Sequence, residues 1–282
     1  MTTHFFTVDV EEHFQVQALA PYVSRDAWGT MESRVEANTR RILELCAEHG
    51  ARGTFFTVGW VAERHPALVK AIAAAGHELA SHTWDHKRIP EQSRDAFRDS
   101  VRRTRELLED LSGTPCIGFR APSYSIVRGF EWALDVLLET GYRYDSSLFP
   151  VTRPGYGYSG GARDPHWLDR PAGRLAEVPP ATLRRLGANL PAAGGAYFRL
   201  LPYALVAAAL RQAAHRNRPA TFYIHPWEID PGQPRVKVPA LTAVRHYGGL
   251  GRTEGRLARL LSEFSFTAIA PGFGLGHSAV PA

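Results

Sequence analysis

Cysteine is scarce in this sequence, which contains only Cys46 and Cys116 among its 282 residues. Two cysteines so far apart exclude a disulfide-dense scaffold and a four-thiolate zinc site. Cys46 lies in an apolar helical stretch, and Cys116 precedes a predicted strand. We therefore expect both thiols to be small buried side chains.

Dense runs of basic residues are also missing. Lysine and arginine total 33 against 28 acidic residues, a formal net charge of +5 that comes almost entirely from arginine. Because no basic stripe appears, we do not expect nucleic acid as a partner. Hydrophobic residues make up 44% and charged residues 22% of the chain. These averages exclude a disordered tail, a collagen-like fibre and a coiled coil.

Long apolar runs are absent too. The run at 203–210 is too short to span a bilayer. Residues 1–6 lack the basic start and long apolar stretch of a secretory signal. We therefore expect a cytoplasmic protein without a transmembrane segment. Peripheral contact with the inner face of a membrane stays open, and so does the oligomeric state.

The apolar pattern that is present alternates between strand and helix. Strands are predicted at 5–10, 53–58, 77–80, 116–119, 221–225 and 264–268, and helices at 36–49, 66–75, 92–111, 129–140, 202–216 and 253–261. Short connections between them indicate βαβ units and an α/β fold. The pattern breaks at 150–196, which is rich in glycine and proline, and we expect a long loop insertion there. No linker or repeat appears, so residues 1–282 are predicted to form one domain.

Several predicted strands end in a polar residue that could take part in chemistry. They are Asp9 with Glu11, His82, Arg120, Asp145 and His225. In parallel α/β sheets and barrels, active sites form at the carboxyl ends of the strands. We therefore expect these side chains to meet at one edge of the sheet.

A metal site is the first chemistry that these residues suggest. The spacing from His82 to His86 predicts two imidazoles on one face of a helical turn, both able to reach one divalent ion. Glu11 or Asp9 could supply a carboxylate as the third ligand. The two acids share a face of a regular strand, so one could bind metal while the other accepts a proton. The alternative is an ordinary pair of surface or core histidines.

Five segments together resemble the polysaccharide deacetylase family, the NodB-type carbohydrate esterases. They are TVDVE at 7–11, SHTWDH at 81–86, FRAP at 119–122, YDSS at 144–147 and IHPWE at 224–228. The sequence is most similar to the branch associated with bacterial exopolysaccharide and exosortase gene clusters. The segment RHYGGLGRTE at 245–254 resembles that branch's C-terminal extension, which we place at 235–282.

The resemblance implies a distorted (β/α)7-type barrel and a divalent metal, most simply zinc, with cobalt, nickel or manganese as alternatives. It implies Asp9 as the general base, Arg120 as its orienting partner and His225 as the general acid. His82 and His86 would be the metal-binding histidines. The family's usual second aspartate is replaced here by Val10, which cannot bind metal, so Glu11 is the natural substitute.

Four further residues complete the predicted site as side chains that orient the catalytic residues or contact the substrate. Asp145 is predicted to orient His225, and Trp227 to stack on a sugar ring. Trp84 and Tyr124 are further candidates among the aromatic residues near the motifs. Glu12 is predicted to be structural or to support the ligands.

The leading functional prediction is a metal-dependent enzyme that removes N-acetyl groups from N-acetylhexosamine residues of a bacterial exopolysaccharide or its precursor. The partner would be an N-acetylated glycan. One alternative is a small-amide hydrolase of the same superfamily, acting on a ureide-like or polyamine-like substrate. The other is a non-catalytic carbohydrate-binding relative.

Overall fold

The computed structural model describes residues 2–153 and 155–275. It is a mixed α/β fold in which buried strands form a curled parallel sheet. The strands are β1 (His4–Val10), β2 (Thr54–Thr57), β3 (Glu78–Ser81), β4 (Gly118–Phe119), β5 (Tyr144–Asp145), β6 (His166–Arg170), β7 (Gly173–Glu177), β8 (Thr182–Arg185), β9 (Ala188–Pro191), β10 (Thr221–Ile224) and β11 (Phe266–Thr267).

The main sheet has the order β10-β1-β2-β3-β4-β5-β7-β6, with β11 paired to β1. Every neighbouring pair from β10 to β7 is parallel, and only β6 runs antiparallel to its neighbour. Two isolated parallel bridges, from Pro180 to Thr221 and from Gly194 to Tyr223, bring the chain after β7 back to β10. The seven parallel strands from β10 to β7 and this loose closure confirm the predicted distorted barrel.

Helices cover the outside of the sheet. They are α1 (Val35–Glu48), α2 (Gly59–Arg64), α3 (Pro66–Ala74), α4 (Arg94–Ser112), α5 (Trp132–Glu139), α6 (Gly195–Leu200), α7 (Tyr203–Ala214), α8 (Ala240–Tyr247), α9 (Leu250–Glu263) and α10 (Ile269–Gly272). Their apolar faces and the sheet share one large buried cluster, in which both Cys46 and Cys116 lie, as predicted. Among the described residues no helix combines the length and the apolar character needed to cross a bilayer.

The insertion predicted as a loop at 150–196 contains four strands, so that prediction was wrong. The strand pairs β6–β7 and β8–β9 are both antiparallel hairpins. Leu186 and Gly187 connect β8 to β9 with φ angles of +48° and +79°. A two-residue turn with two positive φ angles is favoured in hairpins because its twist matches that of the strands. Leucine is not a usual residue in such a turn, so little in the sequence indicated a hairpin there.

The C-terminal extension proposed at 235–282 is described as far as residue 275, and residues 276–282 lie outside the described residues. Its described part consists of α8, α9, β11 and α10. Helix α9 begins three residues earlier than predicted, and α8 was not predicted from the sequence. Helix α8 was missed because two of its largest apolar side chains point to solvent, which obscures the usual amphipathic pattern.

Candidate functional site

The polar residues expected at strand ends meet at the carboxyl edge of the sheet. Asp9 lies on β1 and Glu11 directly follows that strand, while His82 follows β3, Arg120 follows β4 and His225 follows β10. All of these strands are parallel and lie within the run β10-β1-β2-β3-β4 of the sheet. Their carboxyl ends therefore present the five side chains to the same space, as the sequence predicted.

The two histidines reach this space from a loop, which corrects the prediction of a helical turn. No helix is assigned between residues 82 and 88. Thr83 and His86 have φ angles of +64° and +53°, so the backbone enters the left-handed region twice. The ring centroids of His82 and His86 lie 5.1 Å apart. The spacing thus brings the imidazoles together through loop geometry that a sequence pattern does not reveal.

Glu11, His82 and His86 form a group that could hold a metal ion. One potential ligand atom from each residue lies within 4.8 Å of the others, and all three side chains are buried. The Glu11 Oε2 atom lies 2.6 Å from His86 Nε2 but makes no hydrogen bond. His82 Nδ1 lies 2.7 Å from the Arg120 carbonyl oxygen. Donation of the Nδ1 proton to that carbonyl leaves His82 Nε2 with a free lone pair, the usual arrangement of a metal-binding histidine.

The protonation states also suit a metal. Burial lowers the pKa of His82 to about 4, so the ring is neutral near pH 7. Burial alone would raise the pKa of Glu11, but His86 and His225 outweigh it and lower that pKa to about 2. Two imidazoles and one carboxylate with open positions are typical of catalytic zinc sites and related divalent sites. The residues present therefore fit the metal that the sequence implied.

Asp9 is held by a buried arginine beside the ligand group. Arg120 donates from one terminal nitrogen to Asp9 Oδ1 at 2.7 Å and to the Thr7 hydroxyl at 2.8 Å. The other nitrogens donate to the carbonyl and hydroxyl oxygens of Ser146. The Arg120 side chain is fully buried and that of Asp9 is 3% exposed. The pair is therefore a fixed element of the site and not a surface salt bridge.

The imidazole of His225 also lies close to the carboxylates of Asp9 and Glu11. Its Nε2 atom lies 3.8 Å from Asp9 Oδ2 and 3.6 Å from Glu11 Oε1, and the side chain is 17% exposed. Its Nδ1 atom lies 2.6 Å from Glu228 Oε1. Burial would lower the pKa of His225, but Glu11, Glu228 and Asp9 together raise it to about 9. A protonated imidazole open to solvent can donate a proton to a leaving group.

The residue that orients His225 is Glu228, and the prediction that Asp145 does so was wrong. Glu228 accepts from both the backbone N–H and the Nδ1–H of His225. Asp145 instead accepts from the backbone and hydroxyl of Ser147 and pairs with the buried Glu177. Burial raises the pKa values of both carboxyl groups, to about 6 for Asp145. This pair supports the barrel edge and does not contact His225.

Arg199 is a buried residue of the site. The sequence suggested that its segment, residues 194–199, either approaches substrate or forms a plain turn before a helix. Its Nε atom donates to Glu228 Oε2 at 2.7 Å, and its two terminal nitrogens donate to the carbonyl oxygens of Gly248 and Arg245. Neither Arg199 nor Glu228 is more than 1% exposed. The pKa of Glu228 stays below its usual value despite burial because His225 and Arg199 favour the carboxylate. Glu228 could have been suspected from its place in the 224–228 motif, whereas no feature of the 194–199 segment indicated that Arg199 pairs with Glu228.

The predicted aromatic residues occupy three different environments. Trp227 is stacked between His225 and His246, with ring centroids 5.2 and 4.5 Å away, and its Nε1–H donates to Glu11 Oε1. It therefore supports a ligand and offers no free face to a sugar, which corrects the stacking prediction. The Trp84 ring is covered by Arg103, whose guanidinium carbon lies 3.2 Å from the ring centroid. The covered face of the Trp84 ring is therefore not free to contact a substrate.

Tyr124 and Glu12 complete the predicted set. Tyr124 is buried, and its hydroxyl has no hydrogen-bond partner among the described residues. Its ring packs edge-on against Tyr223 at 5.1 Å and lies near the Arg120 guanidinium. Glu12 accepts from the backbone N–H of Arg34 at the start of α1 and from the hydroxyl of a neighbouring serine. Glu12 is thus structural, as expected, and Tyr124 keeps its predicted place beside the catalytic residues.

Comparison with known families divides the chain into two matched regions. Residues 24–144 match the polysaccharide deacetylase family model, and residues 146–273 match a domain of unknown function, DUF3473. Asp9 and Glu11 lie before the first region, His82, His86 and Arg120 lie within it, and His225 lies in the second. The candidate site is therefore assembled from three parts of the chain.

The name of a curated relative agrees with the polysaccharide deacetylase match. Over 98 residues the chain is 33% identical to a peptidoglycan-N-acetylglucosamine deacetylase from Bacillus cereus, covering 34% of this chain and 36% of that protein. The chain thus spans about a third of the length of this curated relative.

Two solved structures share the fold. A family 4 carbohydrate esterase from Streptomyces lividans, solved with acetate, has a TM-score of 0.52 at 14% identity, covering 100% of this chain and 98% of that one. The Puue allantoinase has a TM-score of 0.64 at 19% identity, with coverages of 99% and 92%. At these identities the likeness concerns the fold alone.

Proposed function

We propose that this protein is a metal-dependent N-deacetylase, and the match of residues 24–144 to the polysaccharide deacetylase family model supports this. Its substrate would be the N-acetylhexosamine residues of a bacterial exopolysaccharide or its precursor. The observation that carries the proposal is the convergence of a metal-ligand group with an acid–base pair, in which His225 Nε2 lies 3.8 Å from Asp9 Oδ2 and 3.6 Å from Glu11 Oε1. The N-acetylglucosamine deacetylase from Bacillus cereus supports the substrate class.

The proposed ligands are Glu11, His82 and His86. A bound divalent ion would polarise the acetamide carbonyl and lower the pKa of a coordinated water molecule. Zinc is the simplest choice for two imidazoles and one carboxylate. Trp227 would keep the Glu11 carboxylate in place through its hydrogen bond to Oε1.

The protein's own residues move the protons in this proposal. Asp9 accepts a proton from the water molecule, and the hydroxyl oxygen forms a bond to the acetamide carbon. Arg120 keeps the Asp9 carboxylate in position through its bond to Oδ1. When the carbon–nitrogen bond breaks, His225 donates its Nε2 proton to the amine, which leaves acetate and a free amino sugar. Glu228 fixes the His225 ring so that Nε2 faces the reaction.

We also propose that residues 1–282 act as one catalytic unit. Strand β10, from the second matched region, pairs with β1, which precedes the first. His225 therefore reaches Asp9 only if both regions fold together. A cytoplasmic location belongs to the same proposal.

Acetate release from a panel of N-acetylated oligosaccharides tests the function. Protein loaded with a defined metal should release acetate, and a chelator should abolish the release. His82→Ala should abolish it as well. His215→Ala, which alters an exposed histidine at the C-terminal end of α7, should not. A folded, metal-loaded protein that releases no acetate from any glycan would overturn the proposal. Hydrolysis of a ureide in place of every glycan would favour the small-amide hydrolase, and glycan binding without turnover the carbohydrate-binding relative.

A further inference from the structure

Helix α8 turns apolar side chains towards solvent. Leu241 is 73% and Val244 is 60% exposed, and Leu200 at the end of α6 is 41% exposed. The Leu200 side chain lies beside the C-terminal end of α8, because a side-chain carbon at Gly248 would collide with both the Leu200 side chain and the Val244 carbonyl oxygen. We call Leu200, Leu241 and Val244 the α8 patch. Three of the seven large hydrophobic side chains that are exposed in the described part of the chain lie in this one place.

The segment around the α8 patch is basic. Residues 231–253 contain four basic residues and no aspartate or glutamate. The basic residues are Arg235, Lys237, Arg245 and Arg252, all exposed. None of them forms an ion pair with a carboxylate in the described ranges. Arg245 shares the exposed face of α8 with Leu241, four residues earlier in the helix.

The acidic residues that flank this segment in the sequence each form an ion pair with an arginine. Asp230 pairs with Arg34 at 2.9 Å, and Glu254 pairs with Arg41 at 2.8 Å. Glu228 is buried against Arg199. The surface around the patch therefore carries an uncompensated positive charge, which favours an anionic partner.

The patch lies close to the proposed active site. His246 on the buried face of α8 stacks on Trp227, which stacks on His225. Arg199 ties the end of α8 to Glu228 through the carbonyl oxygens of Arg245 and Gly248. A surface that binds α8 would thus lie close to Trp227 and His225 of the proposed active site.

We propose that the α8 patch docks on the surface of an anionic phospholipid bilayer. Aliphatic side chains inserted at shallow depth with basic residues around them are the arrangement by which peripheral helices bind such surfaces. A second protein is a poorer match, because three aliphatic side chains provide far less than the roughly 800 Å² per partner of a standard protein interface. The contact brings the site to substrates at the membrane and does not depend on which reaction it catalyses.

Vesicle flotation at physiological salt tests the docking. The intact protein should float with vesicles of phosphatidylcholine mixed with phosphatidylglycerol and should not float with phosphatidylcholine alone. The double variant L241Q/V244Q should lose at least tenfold in partition coefficient. The variant R235Q/K237Q/R245Q should lose a similar factor, and higher salt should weaken binding of the unaltered protein.

Leu186→Gln is the matched control, because Leu186 is 98% exposed in the β8–β9 turn, outside the patch. This variant should bind vesicles as the unaltered protein does. Equal melting temperatures would show that the variants are folded. Acetate release from a soluble oligosaccharide, measured in parallel, separates a failure of docking from a failure of the proposed reaction.

Three results would overturn the docking proposal. The first is that the unaltered protein does not float with the anionic vesicles. The second is that L241Q/V244Q binds as tightly as Leu186→Gln. The third is a dimer, seen by light scattering, that dissociates in L241Q/V244Q, because a second copy of the chain would then cover the patch.

Discussion

Arg199→Met should be one of the most damaging single substitutions in the protein. Arg199 is the only described cation within hydrogen-bond distance of the buried Glu228 carboxylate apart from His225. The substitution leaves a carboxylate of 0% exposure with His225 as its only remaining counter-charge among the described residues within hydrogen-bond distance. It also removes the donors to the carbonyl oxygens of Gly248 and Arg245. Methionine preserves most of the side-chain volume, so the loss is mainly electrostatic.

The expected cost is about 3–5 kcal/mol, the usual effect of removing one partner of a buried ion pair. Typical domains have a free energy of unfolding of about 5–15 kcal/mol, so the variant should remain folded but marginal. With a urea m-value of about 3 kcal/mol/M, the midpoint of unfolding should fall by about 1–1.7 M. Acetate release should also fall, because Glu228 loses the contact that fixes it against His225.

Urea unfolding of the two single variants and the double variant measures the coupling. Glu228→Gln combined with Arg199→Met removes both buried charges. The double variant should be about 1–2 kcal/mol more stable than the sum of the single losses predicts. Arg211→Met is the control, because Arg211 and Glu263 form an exposed pair worth about 0–1 kcal/mol. A loss for Arg199→Met no larger than that of the control, or strictly additive losses, would refute the reasoning.

Two further predictions concern Arg120 and two buried histidines. Arg120→Lys should lower kcat for acetate release about 10²-fold with little change in KM, because small misplacements of a reacting group cost about this factor. One ammonium group cannot make the bond to Asp9 together with the bonds to Thr7 and Ser146 that hold the guanidinium in place. Burial lowers the pKa values of His4 and His77 to about 4, and each Nδ1 accepts a backbone N–H. The unfolded chain binds these protons near pH 6.5, so the free energy of unfolding should fall as the pH drops from 6.5 to 4, by at most about 1.4 kcal/mol per pKa unit for each histidine.

Each of these predictions has a direct check. Steady-state kinetics of Arg120→Lys beside Arg128→Lys, an exposed arginine, separates the catalytic effect from a general loss of positive charge. A kcat equal to that of the control would contradict the role given to Arg120. Urea unfolding across the pH range should show a shallower decline for His77→Gln than for His215→Gln. Parallel curves would mean that His77 titrates equally in both states.

The sequence predicted those elements of the fold that have a regular hydrophobic periodicity. Helices α1, α3 and α4 lie within two residues of their predicted bounds because their apolar faces recur with the helical period. The hairpins β6–β7 and β8–β9 were missed, since glycine and proline dominate that region and its strands are short. Helix α8 was missed because Leu241 and Val244 face solvent.

The site was predicted where function depends on residue type and on position at a strand end. Glu11, His82 and His86 could be named from the sequence because a metal requires particular donor atoms, and parallel strands deliver them to one edge. Asp9, Arg120 and His225 follow from the same rule. A wrong partner was assigned to His225, because Asp145 and Glu228 both lie near strand ends and only distance separates them.

The sequence by itself determined the α/β pattern, because hydrophobic periodicity runs along the chain. Side-chain chemistry and the family resemblance also predicted a ligand set and an acid–base pair, which belong to the proposed function. Only the tertiary structure decided that Glu228 and Arg199 support His225, that Trp227 is closed to substrate and that α8 carries an exposed apolar face. Arg199 and Glu228 are 29 residues apart, and their contact exists only because α6, β10 and the start of α9 pack together. Such contacts are set by how separate elements meet, and no local pattern in the chain encodes that meeting.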